Sequence, residues 1–135
     1  MTALADVYIN RVAAFLPNAP VDNDHMEHVL GMVGDTPSRV RKMILRSNAI
    51  KTRHYAIDPT TRETTHTGTE LAVEAISGLI AQGMDVNDVS CLACGTSYPD
   101  QVMPGQGVMV HGLIPNAPAY EVLTTAGVCV AGMAA

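Results

Sequence analysis

The sequence contains no apolar run approaching the roughly 18 residues that a membrane-spanning helix needs, so no membrane span is expected. Its first residues, Met1-Thr2-Ala3-Leu4-Ala5-Asp6, lack a basic stretch followed by an apolar core, so no secretory leader is visible. Cysteine is scarce. The three present, an odd number, do not make a disulfide framework, and a reducing cytoplasm is the simplest setting. Positive charge is scarce as well: eight Lys and Arg against 13 Asp and Glu leave a formal charge of −5, which argues against nonspecific nucleic-acid binding. No low-complexity tract, linker or short-period repeat interrupts the chain. At 135 residues and 47% hydrophobic, residues 1–135 have the size and composition of one soluble globular domain.

What the sequence does hold is concentrated at its end, Ala126-Gly127-Val128-Cys129-Val130-Ala131-Gly132-Met133-Ala134-Ala135. Cys129 lies between a β-rich run, Tyr120-Glu121-Val122-Leu123-Thr124-Thr125, and a small-residue segment able to open a buried helix. A thiol at a strand-to-helix turn faces unpaired N–H groups and the positive pole of the helix, a setting that activates cysteine as a nucleophile. Small neighbours let an acyl group and backbone donors approach the sulfur. The alternative is a structural cysteine, since free cysteine often packs as a small buried hydrophobe.

Strands and helices alternate along the chain. Asp6 to Leu16 carries the β-formers Val7, Tyr8, Ile9, Val12 and Phe15 and reads as a strand ended by Pro17-Asn18. Asp22 or Asn23 is placed to cap a short helix with Met26, Val29, Leu30 and Val33 on one face. Thr36-Pro37 reads as N-cap and first helical position of a second helix, with Val40, Met43 and Ile44 inward. Ile50 to Ile57 is extended, and Asp58-Pro59-Thr60-Thr61 turns away from it. The clearest helix starts at the capping box Thr67-Gly68-Thr69-Glu70, carries Leu71, Ala72, Ala75, Ile76, Leu79 and Ile80 on one stripe, and stops at Gly83. Val89 to Gly95 is a short strand, Pro104 opens a helix through Leu113, and Ala119 to Thr125 is a strand leading to Cys129. That alternation is α/β logic.

Two other clusters compete for a function. Cys91-Leu92-Ala93-Cys94 has CxxC spacing, but residues three apart in a strand point to opposite faces and no second pair exists to complete a zinc site. Both are expected to be inert core cysteines. His25 and His28 share a helix face, yet Asp24 and Glu27 beside them suit a solvated surface, and no metal is expected there. Arg39, Arg41, Lys42, Arg46, Lys51 and Arg53 are six of the eight basic residues within 15 positions. They form either a solvated helix face or a contact for phosphates or an acidic partner.

Taken together, Ile50-Lys51-Thr52-Arg53-His54-Tyr55-Ala56, Leu71-Ala72-Val73-Glu74-Ala75, Gly95-Thr96-Ser97-Tyr98-Pro99-Asp100, Pro104-Gly105 and Ala126–Ala134 resemble, in order and spacing, the type III β-ketoacyl-acyl-carrier-protein synthases. Val7-Tyr8-Ile9-Asn10-Arg11, Phe15-Leu16-Pro17-Asn18 and Ile44-Leu45-Arg46-Ser47-Asn48 resemble the branch linked to dialkylresorcinol and cyclohexanedione formation. The resemblance implies an α/β, thiolase-like fold of which residues 1–135 are the N-terminal half, a mixed sheet with helices on both faces, interrupted just after the nucleophile. It implies an acyltransferase that forms a carbon–carbon bond between an acyl group on Cys129 and a malonyl or β-ketoacyl thioester, in fatty-acid or polyketide-like biosynthesis. It further implies substrate contacts at Met103, Arg46 and Arg53, no metal or redox cofactor, and acyl carrier protein or coenzyme A thioesters as partners.

The same resemblance implies a cytoplasmic homodimer and a C-terminal half supplying a His and an Asn. His25, His28, His54, His66 and His111 all precede Cys129, where the family does not place its catalytic histidine. The absence of tryptophan removes the residue that often stacks on adenine in coenzyme A-primed members, which favours a carrier-protein donor. The alternative function is a non-catalytic half-domain that scaffolds a partner chain.

Overall fold

In the computed structural model, residues 6–135 are described. The segment in which no secretory leader is visible, Met1–Ala5, lies outside them. The chain forms two compact units, one of Leu16–Thr67 and one of the residues up to Phe15 together with Gly68–Ala135. No helix among the described residues is long and apolar enough to cross a membrane.

In the Leu16–Thr67 unit, β1 (Val21–Asp22) pairs antiparallel with β2 (Thr52–Arg53), with Val21 opposite Arg53 and Asp22 opposite Thr52. Neither Asp22 nor Asn23 caps α1 (Met26–Leu30), whose N-cap is His25 without a side-chain bond: Asp22 Oδ1 instead closes the turn before the helix, accepting the N–H of Asp24 at 3.0 Å and of His25 at 2.9 Å and meeting His25 Nδ1 at 2.7 Å, while Asn23 Nδ2 donates to Ile50 O. The His25 backbone amide, then its ring, hold the Asp22 carboxyl below its ordinary value. Val29 is the buried residue of α1.

The second helix departs from its expected start. It is α2 (Arg41–Asn48), not a helix opened by Thr36-Pro37. Thr36 is taken up in a bridge with Val33, and the Ser38 N–H is held by Glu27 Oε1 at 2.9 Å, so the residues after Pro37 cannot wind. The inward face differs too. Arg41 Nη1 reaches Glu27 Oε2 at 2.7 Å in a largely covered ion pair, which turns Arg41 and Leu45 inward and leaves Val40, Met43 and Ile44 exposed. The turn at Asp58 is as read, with Oδ1 accepting the N–H groups of Thr60 and Thr61.

In the second unit, α3 (Gly68–Ala81) begins one residue after Thr67, as the capping box predicts. It ends where Gly83 N–H returns to Ile80 O at 2.8 Å and Met84 N–H to Leu79 O at 3.1 Å, the two bonds of a Schellman stop. A single 3-10 turn, Val86–Asp88, leads into β3 (Cys91–Thr96), then α4 (Gln106–Leu113), β4 (Glu121–Ala126) and α5 (Ala131–Ala134). β3 and β4 are parallel, from Cys91 opposite Glu121 to Thr96 opposite Ala126. Parallel strands need a crossover, and α4 is that crossover.

Alternation in the two strands assigns the faces. Leu92 lines a small apolar cavity with Ile76, Ile114 and Tyr120, and Gly107 of α4 packs on Val122 and Thr124, so Leu92, Cys94, Val122 and Thr124 face α3 and α4. Gly95 and Thr125 face the other side, where α5 sits. Helices thus lie on both faces of the parallel pair, as the α/β expectation has it, but the sheet is not the mixed one expected: among the described residues the parallel pair β3–β4 and the antiparallel pair β1–β2 are separate sheets, because their pairing partners lie in different compact units.

Asp6–Leu16 forms no strand among the described residues. A strand needs a hydrogen-bonded neighbour, and this segment is instead tied beside the end of α3, with Arg11 Nε donating to Gln82 O at 3.3 Å and Gln82 Nε2 to Val12 O at 3.2 Å.

The tightest backbone approach at a glycine of this unit is that of α5 to Gly95. A Cβ on Gly95 would stand 2.6 Å from the carbonyl oxygen of Ala131, a backbone atom that cannot swing aside. Gly95→Ala is therefore expected to destabilise the chain by on the order of 1–3 kcal/mol, the cost of overpacking. Chemical denaturation checks it, and an unchanged midpoint would show that α5 does not rest on Gly95.

Candidate active site

The parallel pair ends abruptly and carries the site at its C-terminal edge. Beyond Ala126, Gly127 N–H still bonds Thr96 O at 3.0 Å, and the chain then turns through Val128, Cys129 and Val130 into α5. Cys129 has φ of 70°, in the left-handed region. A side chain there costs about 1–3 kcal/mol unless its surroundings hold it. Two features do: Thr125 Oγ1 donates to Ala131 O at 2.7 Å, and Ala131, itself buried, lies against Gly95. The turn is pinned from β4 on one side and β3 on the other. It projects an exposed, free thiol between exposed Val128 and Val130.

Cys91 and Cys94 differ from their expected core placement. They do point to opposite faces of β3, but Cys91 is exposed, because α5 is only one turn long and does not reach along the strand to cover it. Cys94 is half-buried on the α4 side, and burial pushes its thiol up from its ordinary value. Cys94 is thus chemically quiet for the reason anticipated, whereas Cys91 is not protected by burial.

Met103 precedes Pro104 in the segment that leaves β3 at Thr96. Since Thr96 pairs with Ala126, this segment and the Cys129 turn leave the sheet side by side. Met103 is 81% exposed, with Tyr98 and Val102 also exposed.

The base of the segment holds a polar cluster that sequence patterning missed. Asp100 Oδ1 accepts the N–H of Gly68 at 2.8 Å, and Oδ2 accepts the N–H of Thr69 at 2.7 Å and its hydroxyl at 2.6 Å. Gln106 Nε2 donates to Thr69 Oγ1 at 3.1 Å, and its Oε1 accepts the Asp100 N–H at 3.0 Å. Thr69 and Gln106 are 5% and 3% exposed. Desolvation works to raise the Asp100 pKa, but the combined hydrogen bonds from Thr69, Gly68 and Gln106 outweigh it and hold the carboxyl below its ordinary value. An acidic residue facing the first turn of α3 was the available signal.

Arg46 and Arg53 lie in the Leu16–Thr67 unit. Arg46 is exposed in the last turn of α2 and lines an open depression of about 350 Å³ with Asn23, Asp24, Arg41, Lys42 and Leu45. Arg53 is half-buried in β2, its Nη1 donating to Asn23 Oδ1 at 2.7 Å. Two histidines serve structure: His54 Nδ1 lies at 3.1 and 3.0 Å from the carbonyls of Pro17 and Asn18, and His111 Nε2 at 2.8 Å from Pro118 O.

The sign of the Asp100 effect sets a pH dependence. A carboxyl whose folded pKa is depressed contributes its stability in full above the ordinary value of 3.8 and loses it as pH falls through the lower folded value. The stability difference between the chain and Asp100→Asn is expected to hold from neutral pH down to about that ordinary value and to shrink below it. A difference that stays constant through the acid range would show that the carboxylate charge is not what the cluster uses.

No protein-family model and no curated protein matches the sequence. Solved structures do. AbyA1, a tetronic acid condensing enzyme, aligns with a TM-score of 0.65 and 31% identity over 92% of this chain and 37% of its own. MvaS in complex with 3-hydroxy-3-methylglutaryl coenzyme A aligns with a TM-score of 0.67 and 18% identity, over 91% of this chain and 27% of its own. The 3-oxoacyl-(acyl-carrier protein) synthase from Burkholderia xenovorans LB400 aligns with a TM-score of 0.58 and 17% identity, over 86% of this chain and 30% of its own. The chain therefore spans about a third of the length of each. All three are thiolase-fold condensing enzymes, and this chain has a thiolase-like α/β fold over the part of each that it covers.

Proposed function

We propose that the chain is the nucleophile-bearing part of a condensing enzyme of the type III β-ketoacyl-acyl-carrier-protein synthase kind, with Cys129 as the acyl acceptor. The observation that carries this reading is the exposed Cys129 held at positive φ where the parallel strands end, in a chain 31% identical to a condensing enzyme. A strained turn that lifts one thiol clear of its backbone suits attack on a carbonyl.

In the proposed reaction the Cys129 thiolate adds to the carbonyl carbon of an acyl thioester. A new Sγ–C bond forms, the bond to the donor sulfur breaks, and the departing thiolate takes a proton from solvent. A carbanion of the second thioester, formed by loss of carbon dioxide from a malonyl unit or by loss of an α-proton to solvent from a β-ketoacyl unit, then attacks the acyl carbon, forming the carbon–carbon bond and displacing the Cys129 thiolate. Backbone N–H groups near Cys129 stabilise the oxyanion of each step. A His and an Asn that polarise the second thioester come from a C-terminal half. The reaction uses no metal or redox cofactor.

Coenzyme A or acyl-carrier-protein thioesters are the proposed substrates, in fatty-acid or polyketide-like synthesis in the cytoplasm. Met103 is proposed to line the acyl tunnel of the neighbouring subunit and limit acyl length there, and its exposure supports a role across an interface. Arg46 is the stronger of the two proposed cationic contacts, because it is exposed whereas Arg53 is half-buried and tied to Asn23. Homodimerisation is proposed through the exposed apolar residues around this edge, among them Tyr98, Val102 and Met133.

Incubating the 135-residue chain with octanoyl-coenzyme A or an octanoyl carrier protein is expected to add one acyl mass, mapped to the Cys129 peptide. Cys129→Ala should abolish the adduct, and Cys129→Ser should keep the fold and lose most of the rate. An adduct on Cys91 or Cys94 in preference to Cys129 would refute the assignment.

A further inference from the structure

The depression beside α2 has a charge balance that the run of basic residues in the sequence conceals. Arg41, Lys42 and Arg46 line it together with Asn23, Asp24 and Leu45, so three cations share one concave surface of about 350 Å³. They are not equivalent. Arg41 Nη1 lies 2.7 Å from Glu27 Oε2, with only 16% and 15% of the two side chains exposed, and Glu27 Oε1 accepts the Ser38 N–H at 2.9 Å. A largely covered ion pair is little screened by solvent, so the Arg41 charge is cancelled where it stands. Lys42 and Arg46 are exposed, and no ion pair among the described residues includes either of them. Four residues apart on α2, they stand on one helix face, where like charges repel and an anion between them relieves the repulsion. Asp24, lining the same surface, adds a carboxylate that opposes any further negative charge.

Resting on the reading of this surface as a contact for the phosphate of a thioester substrate, we propose that Glu27 limits it to two free cations, Lys42 and Arg46, and so selects the single phosphodiester of a carrier protein's pantetheine arm over the pyrophosphate and 3′-phosphate of coenzyme A. Glu27 touches no substrate. It is a positioning residue that acts through Arg41 and the start of α2. A phosphodiester carries a single negative charge, which suits two cations opposed by one carboxylate. Coenzyme A brings several charges, and its surplus phosphates meet Asp24 and an Arg41 that is already paired.

Calorimetric titration of the 135-residue chain at matched ionic strength compares two probes, coenzyme A and pantetheine 4′-methylphosphate, a phosphodiester like that of the carrier arm. The unmodified chain is expected to bind coenzyme A no more than about twofold tighter than the diester, despite its greater charge. Glu27→Gln keeps the side-chain shape and removes the charge that cancels Arg41. It is expected to tighten coenzyme A relative to the diester by on the order of fivefold, the weight of one exposed charge pair. Adding Arg41→Gln to Glu27→Gln should return the ratio to its original value, since the freed cation is then gone. Arg41→Gln alone leaves the Glu27 carboxylate uncompensated and should shift the ratio the other way. It serves as the second variant should Glu27→Gln fail to fold.

A ratio unmoved in the folded variants overturns the proposal, and both probes weakened alike would make Glu27 a brace for α2 and nothing more. A preference of about tenfold or more for coenzyme A in the unmodified chain overturns it too. Failure of both probes to bind the unmodified chain is a separate outcome, which removes the phosphate contact at Arg46 itself and the proposal with it.

Discussion

The carbonyl of Ala131 lies where a side chain on Gly95 would have to go, and the geometry of the candidate site depends on that approach. With nothing but hydrogen on Gly95, the first turn of α5 settles directly on β3 while remaining tied to β4 through Thr125. The turn before it has to cover the rise from the end of β4 to the top of α5 in four residues. Within that turn Cys129 stands in the left-handed region with its thiol exposed. The strain at Cys129 is thus offset by contacts made by other residues, as is common where a backbone outlier serves a chemical purpose.

Polar ties take over much of the role that apolar packing has in a larger core. Among the described residues, Val29, Val110, Ile114 and Ala131 are the buried apolar positions, and Thr69 and Gln106 are buried polar ones. A buried amide and hydroxyl stabilise only when every donor and acceptor is answered, and here each is, through Asp100 and the start of α3. The large apolar residues left on the surface, such as Leu123 of β4 and Met133 of α5, flank the same edge of the sheet as Cys129. An apolar face of that kind is a contact surface in search of a cover.

Local signals were legible and long-range ones were not. The span of α3 followed from its capping sequence and its stop at Gly83, the Asp58 turn from an Asx pattern, and the Cys129 turn from a β-rich run meeting small residues. These depend on neighbours a few positions apart. The register of α2 depends on Glu27 and Arg41, 14 positions apart, and the start of α3 is completed by Asp100, more than 30 positions away. Neither pairing leaves a periodic trace. Asp6–Leu16 has strand composition without a strand, because composition supplies the propensity but a partner supplies the bonds. Cys91 looked like core for the same reason: the apolar run is real, but the helix that would cover it is one turn long.

Above all, the Gly95–Ala131 contact holds Cys129 in a strained turn, and the proposed role of that strain is to present a thiol that accepts an acyl group. The most direct measurement is a crystal structure of the protein after reaction with an octanoyl thioester. The expected result is density continuous from Sγ of Cys129 into the acyl chain, with Cys129 still at positive φ and the Ala131 carbonyl over Gly95. Density on Cys91 or Cys94 instead, or a Cys129 relaxed into extended backbone with α5 lifted from Gly95, would contradict it.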